Sequence, residues 1–279
     1  MTRAEAVAAA TRRLAAAGVA DPARDARLLM RHATGLDAAA LSAALDAPLA
    51  EDAAARFDAA VARRAARAPL SHVTGAREFW GRRFAVGPEV LDPRPETEIL
   101  IAWALEGPGA ARVLDLGVGS GCILLTLLAE WPTATGVGVD ASPAALAVAQ
   151  ANAAALGVAA RAVLSRGDWC AGVEGRFDLV VANPPYLDAA DMAALGPEER
   201  AEPPLALDGG ADGLAAYRAI AAGLDRVLAP RGVALVEVGA GQAAAVAAIF
   251  RAEGFRGVDH REDFDHRVRT MRIARETCA

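Results

Sequence analysis

Val113-Leu114-Asp115-Leu116-Gly117-Val118-Gly119-Ser120-Gly121 joins one short apolar run to another that begins at Cys122. The first run ends around an acid, and three glycines then alternate with small residues. This pattern predicts a buried strand over 112–116, a tight loop, and a helix over 122–130. Glycines permit backbone angles closed to other residues and let a ligand approach the main chain. The helix start that follows offers N–H groups to a polar ligand. The spacing is G-x-G-x-G, not the G-x-G-x-x-G of dinucleotide sites. The missing spacer, and the acid two residues before Gly117, favour a ligand with a compact amino-acid portion bearing an amino group. S-adenosylmethionine fits that description better than a pyrophosphate does. By this loop alone, a nucleotide or an unliganded tight turn stays open.

Outward from the loop the chain alternates strands and helices. Strands are expected over 136–140, 161–164, 177–182 and 233–238, and helices over 143–156, 214–228 and 243–253. Alternation of this kind means βαβ units and a parallel sheet. Two further strand-like runs, 257–261 and 267–273, are joined too closely for a crossover helix and should be antiparallel. A mostly parallel, Rossmann-like α/β sheet with an antiparallel strand at its C-terminal end is the layout of the class I S-adenosylmethionine-dependent methyltransferases.

Three further groups of residues fall at strand ends. Asp140 closes the second strand, where an acid can accept hydrogen bonds from both ribose hydroxyls. Ser142-Pro143 already supplies a helix cap, so Asp140 is not needed for capping. Asp168-Trp169 follows the third strand and offers an acceptor and an apolar face to a base. Asn183-Pro184-Pro185-Tyr186 follows the apolar strand Phe177-Asp178-Leu179-Val180-Val181-Ala182. A planar amide or aromatic amine is a poor nucleophile because its lone pair is delocalised. The Asn183 side-chain oxygen and the Pro184 carbonyl can each accept one N–H of such a group, and Tyr186 can stack on it. Neither proline has an N–H, so this backbone cannot be tied fully into a ladder. The candidate cofactor residues are thus Asp115, Gly117, Val118, Gly119, Ser120, Gly121, Asp140, Asp168, Trp169 and Asn183. The candidate substrate and catalytic residues are Asn183, Pro184, Pro185 and Tyr186.

The chain has 279 residues, 54% of them hydrophobic, and a formal charge of −6, which allows a sizeable core and argues against a phosphate-gripping surface. Cys122, Cys170 and Cys278 are too few and too scattered for a disulfide framework or a zinc site, and the four histidines lack metal spacing. No metal is expected. Charged residues interrupt the apolar start, and no run reaches the roughly 18 residues of a membrane span, so a cytoplasmic protein without membrane partners is expected. Residues 1–75 read as a small helical domain. Asp21-Pro22 is a helix start, and Gly18 and Gly35 are helix stops. Arg63, Arg64 and Arg67 cluster near the end of a helix starting at Glu51, where they suit the dipole and read as a solvated face, with a partner-binding surface as the alternative. Residues 76–95 read as a β-hairpin linker, and 96–279 as the catalytic domain.

Asn183-Pro184-Pro185-Tyr186 resembles the signature of methyltransferases acting on adenine N6 or glutamine N5. Its surroundings are similar to those of the release-factor glutamine methyltransferases: Pro69-Leu70-Ser71-His72-Val73-Thr74-Gly75, Glu78-Phe79-Trp80-Gly81, Val90 through Glu98 with its Arg94-Pro95-Glu96-Thr97-Glu98, and Pro204 through Gly213. The likeness covers most of residues 65–275. Asp92 departs from it, standing where the family often has an apolar residue. The resemblance implies S-adenosylmethionine as donor, with S-adenosylhomocysteine as product. It implies the glutamine of the Gly-Gly-Gln loop of class 1 peptide chain release factors as acceptor, with no nucleic acid required, and a docking role for the helical domain. A DNA or RNA adenine methyltransferase would share the catalytic reading but should add a target-recognition region and a basic face, and neither is visible. A non-catalytic cofactor-binding protein would have no use for Asn183 through Tyr186.

Overall fold

A computed structural model describes residues 1–263 and 265–276, so Cys278 lies outside the described residues. The chain forms two compact units, Met1–Ala76 with Gly196–Ala201, and Arg77–Leu195 with Glu202–Ala279. No helix among the described residues is long and apolar enough to cross a membrane.

The first unit holds helices α1 (Arg3–Ala16), α2 (Pro22–Thr34), α3 (Ala38–Ala43), α4 (Glu51–Ala65) and α5 (Leu70–Thr74). Local chemistry sets their ends. Thr2 and Glu5 form a reciprocal capping box on α1, Asp21 caps α2 ahead of Pro22, and Gly35 ends α2 in the left-handed region. Ala10, Leu14, Leu29, Met30, Phe57 and Val61 recur at helical spacing and bury a common core. Arg64 and Arg67 correct the expectation of a solvated face, whereas Arg63 is exposed. Arg64 is only 7% exposed. Its Nε donates to buried Asp25 at 2.7 Å and its Nη1 to Glu198 at 2.8 Å. Arg67, just past the helix, grips both oxygens of Glu198. Hydrogen bonding from Arg67 and Arg64 outweighs partial burial and holds the Glu198 carboxyl down at about 2. Sequence spacing could not show this, because Glu198 comes from a segment more than 130 residues away.

Apart from Ala76, the hairpin β1 (Ala76–Phe79) and β2 (Arg82–Ala85) opens the second unit. Phe79 and Phe84 meet edge to face and are buried in this unit's core, so the hairpin is built into it. Then follow α6 (Glu98–Glu106), β3 (Arg112–Leu116), α7 (Cys122–Glu130), β4 (Thr135–Asp140), α8 (Pro143–Ala155), β5 (Ala162–Arg166), β6 (Phe177–Ala182), α9 (Ala189–Ala194), α10 (Ala215–Val227), β7 (Leu228–Glu237), α11 (Ala243–Ala252), β8 (Gly257–Glu262) and β9 (Val268–Ala274). The seven-stranded sheet runs β5-β4-β3-β6-β7-β9-β8, with β9 antiparallel to both its neighbours. Alternate residues of each strand point to opposite faces. Leu114, Leu116, Val180 and Val236 join a core with Tyr217, Ile220 and Phe250 of α10 and α11. Val113, Val181 and Leu235 join the other with residues of α6, α7 and α8. Burial on both faces explains why the central strands are continuous apolar runs.

Asp92, the departure from the family pattern, is buried, with Oδ2 3.7 Å from Arg77 Nη1. The backbone N–H of Asp92 donates to Glu202, which also accepts from Arg94 at 2.6 Å.

Candidate active site

Strand order creates the site. The chain proceeds from β3 to one side through β4 and β5, then returns to the other side of β3 as β6. A crevice opens at the carboxyl edge where the order reverses. Register decides what stands there. Leu116 pairs with Val139 on one side and Ala182 on the other. The next residues along are Gly117, Asp140 and Asn183, which therefore emerge together. Ala182 also pairs with Val236, which brings Glu237 beside Asn183.

The glycine loop is tied to β4. Gly117 N and Val118 N donate to Val139 O at 2.8 and 3.0 Å. Gly119 N donates to Asp140 Oδ2, and Ser142 N to Asp140 Oδ1, each at 2.9 Å. Ser142 caps α8 through Ala145 N, which leaves Asp140 free of that duty. Gly117 and Gly121 both have positive φ, and a Cβ on Gly121 would lie 2.7 Å from Leu125, so only glycine fits there. Asp115 is buried behind the loop. Its Oδ2 accepts from Leu124 N at 3.1 Å, and its Oδ1 has no partner among the described residues. Burial pushes its carboxyl up to about 7 against the Leu124 bond, helped by the charge of Asp140. Buried Asn152 braces the loop, donating to Ser120 O and Ala85 O and accepting from Ala85 N. Trp169 has positive φ, and its ring lies 3.6 Å from where a Gly117 side chain would begin.

A cavity of about 500 Å³ opens here. Gly117, Val118, Gly119, Ser120, Asp140, Asp168, Trp169, Asn183 and Pro185 line it. Asp115, Gly121, Pro184 and Tyr186 do not. Asp115 lies beneath the loop, Gly121 caps α7, Pro184 is buried, and Tyr186 is half-buried against the α10 and α11 core. The wall also includes Arg94, Thr97, Cys122 and Leu205, which the sequence reading did not select. Arg94 and Thr97 belong to Arg94-Pro95-Glu96-Thr97-Glu98, so the signal was present as part of a quoted motif. Cys122 gave none. Burial pushes its thiol up to about 12 and that of Cys170 up to about 11, so neither is a thiolate at neutral pH.

The Asn183 segment is held from behind. Asn183 Nδ2 donates to Thr97 Oγ1 at 3.2 Å, and Thr97 Oγ1 donates to Glu237 Oε2 at 2.6 Å. Glu237 is fully enclosed, and burial pushes its carboxyl up to about 7 against the Thr97 bond. Gln242 Nε2 donates to Tyr186 O at 2.9 Å. Leu187 N and O bond Leu207 O and Gly209 N, so the 207–209 segment lies along the chain just beyond Tyr186. Burial pushes the Tyr186 hydroxyl up to about 12, so the ring stays neutral.

Residues 5–75 match the family described as PrmC N-terminal domain, and residues 95–196 the methyltransferase small domain. Over 272 residues the chain is 56% identical to the release factor glutamine methyltransferase of Cereibacter sphaeroides, covering 97% of this chain and 98% of that one. The chain belongs to the release factor glutamine methyltransferase family. The relatives of the same name from Rhodospirillum rubrum and Moorella thermoacetica are 48% and 44% identical, over 96% and 91% of this chain and 83% and 91% of theirs. Membership makes it a methyltransferase. The fold is shared more widely. The hMettl16 catalytic domain, solved with the MAT2A 3'UTR hairpin 6, matches with a TM-score of 0.59 at 16% identity over 77% of this chain and 82% of that one. A methyltransferase from Pyrococcus furiosus matches with 0.54 at 16% identity, over 77% and 98%.

Proposed function

We propose that this protein transfers the methyl group of S-adenosylmethionine to the N5 amide nitrogen of the Gly-Gly-Gln glutamine in class 1 peptide chain release factors, in the cytoplasm. The observation that carries this reading is the register of β3, β4 and β6, which brings a glycine loop, an acid and Asn183 to one edge. The residues present fit the donor. The glycine loop leaves backbone open, Asp115 Oδ1 is a buried acceptor without a partner among the described residues, and the cavity accommodates a ligand of nucleoside size. Asp140 would hold the ribose hydroxyls, Asp168 the adenine amino group, Trp169 the base, and the loop over Asp115 the amino-acid portion. When bound, the donor supplies the methyl group and its own leaving group.

The chain's part is positioning. Asn183 Oδ1 accepts one N–H of the glutamine amide, and Pro184 O accepts the other. Two acceptors on one NH₂ draw charge onto nitrogen and aim it at the donor. Tyr186 stands outside the cavity wall, and its neutral ring would stack on the amide plane once the acceptor is bound. Alignment of this kind is worth effective molarities of roughly 10⁵ M or more. No strong general base is required, because the newly methylated amide nitrogen is strongly acidic and its extra proton passes by way of the hydrogen-bonded acceptors to water. The 1–75 domain docks the protein substrate, and 96–279 carries the chemistry. The test offers radiolabelled donor to the enzyme with a release factor and with duplex DNA side by side. Label on the release-factor glutamine, located by peptide mass spectrometry, is expected. Label on DNA adenine instead would overturn the acceptor assignment.

A further inference from the structure

Asn183 is an amide with two different ends, and only its oxygen can accept an N–H from the acceptor glutamine. Nothing in its own strand decides which end faces the cavity. We propose that Thr97 and Glu237 are positioning residues that fix the direction of the Asn183 amide, a role that rests on the acceptor reading above. The deciding fact is that a threonine hydroxyl has one hydrogen. At 2.6 Å that hydrogen is committed to Glu237 Oε2. Only lone pairs are left on Oγ1, so the group 3.2 Å away on Asn183 must be the donor Nδ2. Oδ1 is then the end available to a ligand. A reversed amide would set lone pairs against lone pairs. Water cannot relieve the conflict, because Thr97 and Glu237 are each 1% exposed.

The choice of residue at position 237 matters in the same way. An ionised carboxylate can only accept, so it imposes a direction on the whole chain of bonds. A glutamine there could accept or donate, and direction would be lost with packing nearly unchanged. Thr97 lies in the turn Pro95–Thr97 that leads into α6, whereas Glu237 closes β7. A purely structural tie between α6 and β7 would not depend on which way round the Asn183 amide sits.

The experiment uses the full chain at pH 8, above the value of about 7 to which burial pushes Glu237. The side-chain amide of Asn183 is assigned in ¹⁵N-labelled protein by its disappearance in Asn183→Ala. In wild type, one of its protons should exchange slowly with solvent. Thr97→Val should abolish that protection and Thr97→Ser should keep it. In single-turnover transfer to a release factor, Thr97→Val and Glu237→Gln should be slower by about 10–100-fold, as for a misplaced reacting group. Donor affinity should stay within about twofold in Glu237→Gln, because Glu237 does not line the cavity, and Thr97→Ser should restore the rate. Glu237→Gln carries the test if Thr97→Val does not fold. Wild-type protection and wild-type rates in Thr97→Val or Glu237→Gln would overturn the proposal. If wild type itself transfers nothing to a release factor, the acceptor reading falls, and the amide protection alone decides the Thr97–Glu237 relay.

Discussion

At the scale of single residues, two carboxylates bracket the glycine loop and do opposite things. Asp140 faces the cavity and already accepts from Gly119 N and Ser142 N. Asp140→Ala removes the acceptor expected for the ribose and loosens the loop. Donor affinity should fall by about 1.5–3 kcal/mol, the scale of hydrogen bonds to a charged group. Calorimetry with S-adenosylhomocysteine checks this, and unchanged affinity would remove Asp140 from the site. Asp115 is enclosed, with its carboxyl raised from an ordinary value near 4 to about 7. Below about pH 4 it is protonated both folded and unfolded. Between about 4 and 7 the folded state binds more proton, so its contribution to stability declines as pH rises and is lost above about 7. Asp115→Asn should remove that decline. Its unfolding free energy in urea should gain on that of wild type by roughly 2 kcal/mol as pH rises from 5.5 to 8. A constant difference between the two proteins across this range would show that Asp115 does not titrate there.

At the scale of elements, the segment after β6 is positioned by its neighbours. Gly213 has φ +70°, and a Cβ there would lie 2.5 Å from Tyr186 O and 2.6 Å from Gln242 Nε2. Gly213→Ala should cost about 1–3 kcal/mol of stability and slow methyl transfer, while donor affinity is retained because the glycine loop is untouched. Thermal unfolding, donor titration and single-turnover rates check the three parts, and wild-type transfer would show that the Tyr186 backbone needs no such seat. The legibility of these elements follows the range of the interactions that make them. Arg112–Leu116, Cys122–Glu130 and Phe177–Ala182 were readable residue for residue, because apolar runs and glycine punctuation are local signals. β7 begins at Leu228, five residues before the strand expected from 233, because its Pro230-Arg231-Gly232 reads as a turn in isolation. Glu237 was not selected because strand register, not spacing, brings it beside Asn183, and Thr97 and Gln242 were not because they reach the Asn183 segment from a turn and a helix start far along the chain.

At the scale of the molecule, the helical unit includes Gly196–Ala201, which follows α9 in the chain. Glu198 is fastened there by Arg64 and Arg67, and Arg64 in turn by Asp25. Breaking such a buried pair by removing one partner is costly, because it strands a charge. A protein restricted to residues 77–279 should therefore keep donor affinity and lose at least about 10-fold in release-factor turnover, both through the missing docking domain and through the unfastened 196–201 segment. Equal methylation by truncated and full-length enzyme would overturn the docking role.

By itself the sequence determined that a glycine loop follows a buried strand, that acids and the Asn183 segment close later strands, and that helices alternate with them. Each of these is a matter of neighbours along the chain, within reach of backbone geometry and apolar periodicity. Only the tertiary structure decided that β9 enters between β7 and β8, that Arg64 is an interior charge, and that Asn183 is held through Thr97 by Glu237. These depend on which strand lies beside which and in what register. That choice is made by burying both sheet faces at once and by pairing every enclosed polar group it can, and no short stretch of sequence carries it.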